Sequence, residues 1–138
     1  MANTELAAAV KSIIGLARSG RLDDAYLGYS DLFASPAFQE YRTEDQRQAL
    51  RLMVHAKNAP SPATPPMIEA HRSAIVPLTS LVSLEDEPGD YEMLGICHAL
   101  VGNEQAAASI FRVGLQLERD RSPQSDLCGA LMKRISML

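Results

Sequence analysis

The chain has 138 residues, of which 46% are hydrophobic and 22% are charged, and its formal net charge is −4 at pH 7. This composition excludes wholesale disorder, and the length favours one domain spanning residues 1–138 over two ordinary domains. The basic residues are scattered along the chain rather than gathered into a stripe, so no nucleic-acid-binding surface is expected.

The N-terminal segment and the apolar runs bear on where the protein resides. Glu5 precedes the first apolar run and Lys11 lies inside it, which reverses the charge order of a secretory signal. The longest apolar run, residues 73–84, is interrupted by Pro77 and by hydroxyl side chains, and it is shorter than a membrane-spanning helix. We therefore expect a cytoplasmic protein with no membrane insertion.

The spacing of apolar residues predicts an all-α protein, because it follows the helical period and no segment shows sustained strand alternation. The seven predicted helices cover about residues 4–18, 22–34, 43–58, 66–84, 89–101, 104–119, and 123 almost to the end. Most are joined by short turns. The exception is a Pro-rich internal loop at 59–66, which has four prolines and is expected to be a solvated connector within the domain.

Local signals mark the ends of particular helices. Thr43 is expected to cap helix 3, and Gln46 three residues later completes the pattern of a capping box. Pro66 suits the first position of helix 4, and Pro77 is expected to kink that helix. Helix 7 carries an apolar stripe that is expected to pack on helix 6, formed by Leu127, Leu131 and Ile135.

Two segments of the chain, residues 16–33 and 98–115, are similar to each other. Each contains the end of one helix, a glycine turn, and a second helix with a small residue facing back. The matched residues are Ala17 and Ala99, Gly20 and Gly102, Ala25 and Ala107, and Tyr29 and Phe111. Repetition of a helix pair indicates an array of such pairs.

Residues 88–121 carry this pattern most fully, through Tyr91, Leu94, Gly95, Gly102, Ala107 and Phe111. The segment resembles the tetratricopeptide repeat (TPR), whose helix pair carries an aromatic residue, Leu-Gly, a turn glycine, an alanine and a second aromatic residue. His98 stands where the family has a tyrosine, and Ser12-Ile13 stands where the first unit would have Leu-Gly. The resemblance is accordingly weak in residues 5–84.

The resemblance implies a right-handed α-α superhelix of about three TPR-like helix pairs, with helix 7 as a C-terminal cap. In such arrays the first helix of each pair lines a concave groove. The groove positions that the resemblance implies on the first and third pairs are Val10, Ile14, Ala17, Glu92, Ile96 and Ala99. On helix 3, Arg47, Arg51 and His55 lie on neighbouring turns. They form either a weakly basic edge of the groove or a solvated helix face.

These features predict a non-catalytic protein–protein interaction module, adaptor-like or chaperone-like, that binds a peptide or helix of a partner protein. The alternative is a structural protein that self-associates, for example as a homodimer, through the apolar faces of helices 1 and 7. No catalytic residue, metal ligand or cofactor is expected, because no histidine has metal-ligand spacing to another ligand-type residue. Cys97 and Cys128 are expected to be small buried apolar residues.

Overall fold

The structure of the protein is a computed structural model that describes residues 2–138, with side chains from Thr4 onward. Within these residues the protein is all-α and contains no strand, which confirms the predicted fold class. Its helices are α1 (Ala2–Arg18), α2 (Leu22–Ala34), α3 (Thr43–Val54), α4 (Pro65–Leu84), α5 (Pro88–Leu100), α6 (Glu104–Arg121) and α7 (Asp126–Ser136), with a 3₁₀ helix at Pro36–Glu40.

Contacts between residues group the chain into two compact units, Met1–Pro77 and Leu78–Leu138, which we call the N-terminal and C-terminal units. The N-terminal unit holds α1, α2, the 3₁₀ helix, α3 and most of α4. The C-terminal unit holds the end of α4 and the helices α5 to α7. The single domain predicted for residues 1–138 stays a prediction.

The α1–α2 turn and the α5–α6 turn have the same backbone geometry. Their glycines, Gly20 and Gly102, both have a positive φ, at 81° and 91°, which residues with a Cβ atom avoid. In each turn the amide after the glycine donates to the carbonyl five residues before it, in the pairs Arg21 to Leu16 at 2.9 Å and Asn103 to His98 at 2.8 Å. This arrangement is a common helix terminus, and it recurs at the matched glycines of the two similar segments.

Both of these helix pairs pack closely at glycines. In α5–α6 each helix supplies one, Gly95 and Gly114, whereas in α1–α2 only the second helix does. In α5–α6, Gly95 of the first helix lies against the ring of Phe111, which a Cβ atom on Gly95 would overlap. In α1–α2, Gly28 of the second helix lies against Ile13, and a Cβ atom there would be 2.8 Å from Ile13 Cγ1. Ile13 occupies the position that corresponds to Gly95. The first pair therefore achieves close packing with its small residue on the other helix.

Aromatic rings fill the core of the N-terminal unit. The rings of Tyr29 and Phe33 stack with their centroids 5.6 Å apart, and Phe38 meets Phe33 edge-on at 5.1 Å. Phe38 belongs to the 3₁₀ helix and is fully buried. The ring of Tyr26 lies 6.4 Å from that of His71 in α4. These contacts connect α2 to the 3₁₀ helix and to α4.

The start of α3 differs from the predicted capping box. Arg42 is the N-cap residue, and its side chain does not cap the helix. The amide group of Gln46 instead donates to the carbonyl oxygens of Gln39 at 3.2 Å and Tyr41 at 2.8 Å. The prediction was wrong because the 3₁₀ helix places its last carbonyls within reach of Gln46.

The non-helical connection between α3 and α4 begins earlier and ends earlier than predicted. Because α3 ends at Val54 rather than Asn58, the non-helical segment covers residues 55–64. The last two prolines of the predicted loop at 59–66 belong to the first turn of α4, which begins at Pro65. Proline suits this position, since the first helical amides have no partner within the helix.

The packing of α7 on α6 is as predicted, although α7 begins at Asp126 rather than near Pro123. Ser125 sets this start, because its hydroxyl accepts a hydrogen bond from Cys128 N at 3.2 Å and donates one to Glu118 at 2.6 Å. The buried cluster between the two helices contains Ala107, Phe111, Leu115, Cys128 and Leu131, with Leu127 and Ile135 packed against it.

Candidate functional site

Two open clefts lie between α1 and α3 in the N-terminal unit. The smaller, of about 130 Å³, is lined by Leu6, Ala7 and Val10 of α1 and by Asp45, Gln48, Ala49 and Leu52 of α3. The larger, of about 260 Å³, is lined on the same two helices by Ile14, Ala17, Arg18, Leu52 and Met53. We call the combined surface of these two clefts the α1–α3 groove. Leu52 belongs to both clefts, so they meet at this side chain.

The α1 and α3 helices run in the same direction along the groove. The first half of α1 shares the smaller cleft with α3 from Asp45 onward. The last turns of α1 share the larger cleft with the end of α3 and with the segment that follows it, as far as Asn58. The groove therefore lies between two helices that run parallel to each other.

Tyr26 and Tyr29 of α2 form the floor of the larger cleft. Burial raises the pKa of both phenols above the ordinary value of 10. Among the described side chains, Ser30 Oγ is the one enclosed polar atom that lacks a hydrogen-bond partner. The two phenol oxygens form no hydrogen bond with described residues and are not enclosed.

The end of the groove that holds the C-terminal turns of α1 and α3 is basic. Arg18 and Lys57 line the larger cleft, and a shallow neighbouring cleft of about 580 Å³ adds Arg51 and His55. Arg18, Arg51 and Lys57 are exposed, and in the described part of the chain none of them forms an ion pair. At the opposite end Asp45 lies 3.3 Å from Arg42, so its charge is compensated. Among the residues that line the groove and the adjoining basic cleft, the unpaired positive charges therefore gather at this end.

Leu52 is the residue that the sequence analysis missed. It lines the two clefts of the α1–α3 groove and the shallow basic cleft beside them. Its side chain is 48% exposed, although it lies on a helix whose neighbouring residues Leu50 and Met53 are fully buried. An apolar residue beside the buried stripe of α3 was the only signal of this role in the sequence.

The predicted binding residues of the N-terminal unit fall into two groups. Val10, Ile14 and Ala17 line the groove, and Arg51 and His55 line the basic cleft that adjoins it. Arg47 does not belong with them, because its side chain is 8% exposed and donates to Glu44 at 2.9 Å. Its burial in the packing of α3 removes it from the basic edge proposed for the groove.

The predicted residues of the C-terminal unit lie at a separate cleft. Ile96 and Ala99 line an apolar cleft of about 260 Å³ together with Leu100, Phe111, Arg134, Met137 and Leu138. Glu92 lies outside this cleft, is 7% exposed and accepts a hydrogen bond from Arg134 Nε at 2.8 Å. Its carboxylate is already engaged by α7, so it does not offer an exposed groove position.

Other candidate chemistry has structural partners. His71 is buried, its Nδ1 lies 2.8 Å from the carbonyl oxygen of Met67, and burial lowers its pKa. Burial also raises the pKa of the Cys97 thiol to about 12, which suppresses the reactive thiolate. Within the described residues no group of His, Cys, Asp or Glu side chains is arranged to hold a metal ion.

Comparison with known proteins gives no further assignment. The chain matches no protein-family model, no curated protein and no solved structure. From Ala2 to the last residue, no helix is both long enough and apolar enough to cross a membrane.

Proposed function

We propose that the protein is a non-catalytic interaction module, built of TPR-like helix pairs, that binds a helix or peptide of a partner protein in the α1–α3 groove. The observation that carries this proposal is the exposure of Leu52 where the two clefts meet, with apolar side chains of α1 opposite it. Covering one such side chain contributes about 1.5–3 kcal/mol. A few anchors of this kind supply most of the affinity of a typical interface.

The repeated turn geometry supports the TPR-like part of the proposal. Gly20 and Gly102 close matched turns with matched hydrogen bonds. The groove also lies between two parallel helices, α1 and α3, and arrays of helix pairs bind ligands on the surface that their first helices form. The apolar residues predicted for this surface, Val10, Ile14 and Ala17, line the groove.

The alternative, self-association through helices 1 and 7, has less support. Leu131 of the α7 stripe is buried against α6, and Leu127 and Ile135 pack against the same cluster. That stripe is therefore largely engaged within the chain.

The proposal is tested by selecting peptides from a displayed random library and measuring their affinity for two matched variants. Leu52 is 48% exposed and Leu27 is 51% exposed, and Leu27 lines none of the clefts described above. We expect Leu52→Glu to weaken binding at least about tenfold, which corresponds to about 1.4 kcal/mol. Leu27→Glu should leave the affinity unchanged.

Hydrogen–deuterium exchange should locate the selected peptides independently, through added protection of α1 and α3. Equal losses in the two variants, or protection confined to other helices, would refute the α1–α3 groove as the binding site. Because both substituted side chains are already half exposed, neither variant is expected to disturb folding.

A further inference from the structure

We infer that the occupant of the α1–α3 groove is an acidic amphipathic helix, antiparallel to α1 and α3, with its first turn at Arg18, Arg51 and Lys57. This inference rests on the proposed function and specifies the partner of the same groove. It combines the length of the groove, the chemistry of its walls, the charge at one end and the parallel direction of its two helices.

The walls of the groove favour a helical occupant. Both walls are α-helices, so their backbone groups are already paired within each helix and offer no edge to an extended strand. An extended peptide would leave most of its own amides and carbonyls without partners in an apolar groove, whereas a helix satisfies them internally. From Leu6 to Arg18 the α1 wall is about 18 Å long at about 1.5 Å per residue. That length accommodates about three turns of a helix with one apolar stripe.

The charge distribution selects acidic residues at one end of that helix. Arg18, Arg51 and Lys57 are exposed at the end that holds the C-terminal turns of α1 and α3, and no ion pair within the described residues compensates them. At the other end Asp45 is paired with Arg42. Carboxylates on the occupant would therefore be attracted more strongly to the first end than to the second.

The direction of the occupant follows from the helix dipoles. The C-terminal turns of α1 and α3 carry partial negative charge, and they lie at the same end as the three basic side chains. An occupant helix that places its N-terminus there is antiparallel to both walls, so its dipole is attracted to theirs. Acidic residues in its first turn also stabilise its own N-terminus. If the occupant ran in the reverse direction, its acidic residues would lie in its last turn, where the negative end of its own helix dipole repels them.

The test uses three synthetic helical peptides of about 14 residues, the length that spans the groove at about 1.5 Å per residue. All have acetylated and amidated ends, to remove terminal charges, and leucines at positions 2, 6, 9 and 13 of the peptide, the spacing of one helical face. The first has three glutamates in its first turn, the second has them in its last turn, and the third has lysines in place of the first peptide's glutamates. Fluorescence anisotropy at low and high salt gives each affinity.

We expect the first peptide to bind at least about tenfold more tightly than the second and to bind more tightly still than the third, with the differences shrinking at high salt. The double variant Arg51→Glu/Lys57→Glu should abolish the preference for the first peptide. Arg112→Glu is the matched control, because Arg112 is an exposed arginine of α6 that lines none of these clefts. A photo-reactive group at the N-terminus of the first peptide should label residues 51–58 rather than residues 6–10.

The contrary outcomes separate this inference from the proposed function. Equal binding of the first two peptides, or labelling of residues 6–10, overturns the direction. Binding of the lysine peptide as tight as that of the first overturns the acidic character. If none of the three binds while library peptides still depend on Leu52, the inference fails and the proposed function stands. If Leu52→Glu converts a dimer into a monomer in light scattering, the occupant is a second copy of the chain, and the inference also fails.

Discussion

Gly95 lies against the ring of Phe111, and a Cβ atom on this glycine would overlap the ring atoms Cδ1, Cε1 and Cζ. The ring cannot swing into solvent to make room, because Phe111 is 2% exposed and belongs to the cluster that α7 covers. The contact between α5 and α6 is therefore possible only with a residue that has no side chain on the α5 side.

Gly95→Ala should consequently destabilise the protein by about 1–3 kcal/mol, the usual cost of overpacking. Gly129→Ala is the matched control, because Gly129 is also helical and a Cβ atom there meets nothing within 4 Å. The control should be neutral or more stable by up to about 1 kcal/mol, since alanine is the better helix former. Urea denaturation of both variants measures the difference. A Gly95→Ala protein as stable as Gly129→Ala would contradict the described packing.

Leu131→Ala should cost about 2–5 kcal/mol, because Leu131 is fully buried between α6 and α7 and its loss leaves a cavity. The neighbouring Met132 is 50% exposed, so Met132→Ala should change the free energy of unfolding by no more than about 0.5 kcal/mol. Thermal unfolding followed by circular dichroism compares the two. Similar melting temperatures would show that α7 is not a packed cap.

Stability should fall as the pH drops below about 6.5, in part because of His71. Burial lowers the pKa of His71 below its ordinary value of 6.5, so the unfolded chain takes up its proton at a higher pH than the folded chain does. The contribution of neutral His71 to the free energy of unfolding is therefore fully present above the pKa that His71 has in the unfolded chain. It is lost as the pH falls from that value towards the lower pKa that His71 has in the folded chain. His98, whose pKa burial also lowers, contributes in the same direction.

The measurement is the free energy of unfolding at pH 7.5 and pH 5.5 for the parent and for His71→Gln, which cannot be protonated in this range. The variant should lose less stability than the parent between the two pH values, whatever its stability at pH 7.5. A loss equal to that of the parent would mean that His71 does not titrate differently on unfolding.

Trypsin should cut first after Lys57. This residue is exposed in the non-helical segment 55–64, the longest one in the described part of the chain, and extended backbone is what a protease requires. Exposed Arg112 lies within α6 and should resist. Mass spectrometry of the first products identifies the cut, and Lys57→Gln should delay it. A first cut at Arg112 would contradict this organisation.

The helices were predictable because each combines an apolar period with a local stop signal. Gly20 and Gly102 ended two helices as expected, since only glycine adopts their positive φ at little cost. The start of α3 was not predictable, because the partners of Gln46 are carbonyls of a 3₁₀ helix that has no strong sequence signal. Short-range patterns specify turns well, but they do not show which distant polar groups will meet.

The candidate site was predictable on one wall only. Val10, Ile14 and Ala17 lie on one apolar face of α1, and that face is wider than its contact with α2 requires. Arg47, expected at the groove, is buried and paired with Glu44, and Leu52, for which no role was predicted, is half exposed in the groove. Both outcomes depend on how α3 is rotated against its neighbours, which the sequence of α3 alone does not determine.

The glycine contacts of the two helix pairs have a consequence for how such pairs are recognised. In the contact of Ile13 with Gly28 and in the contact of Gly95 with Phe111, one of the two facing residues must be small. Either helix can supply that small residue. Scored position by position, Ile13 is a mismatch to the Leu-Gly of the TPR pattern, although with Gly28 opposite it the two helices still approach closely. Related helix pairs in other chains should therefore be sought by scoring the combined volume of facing positions.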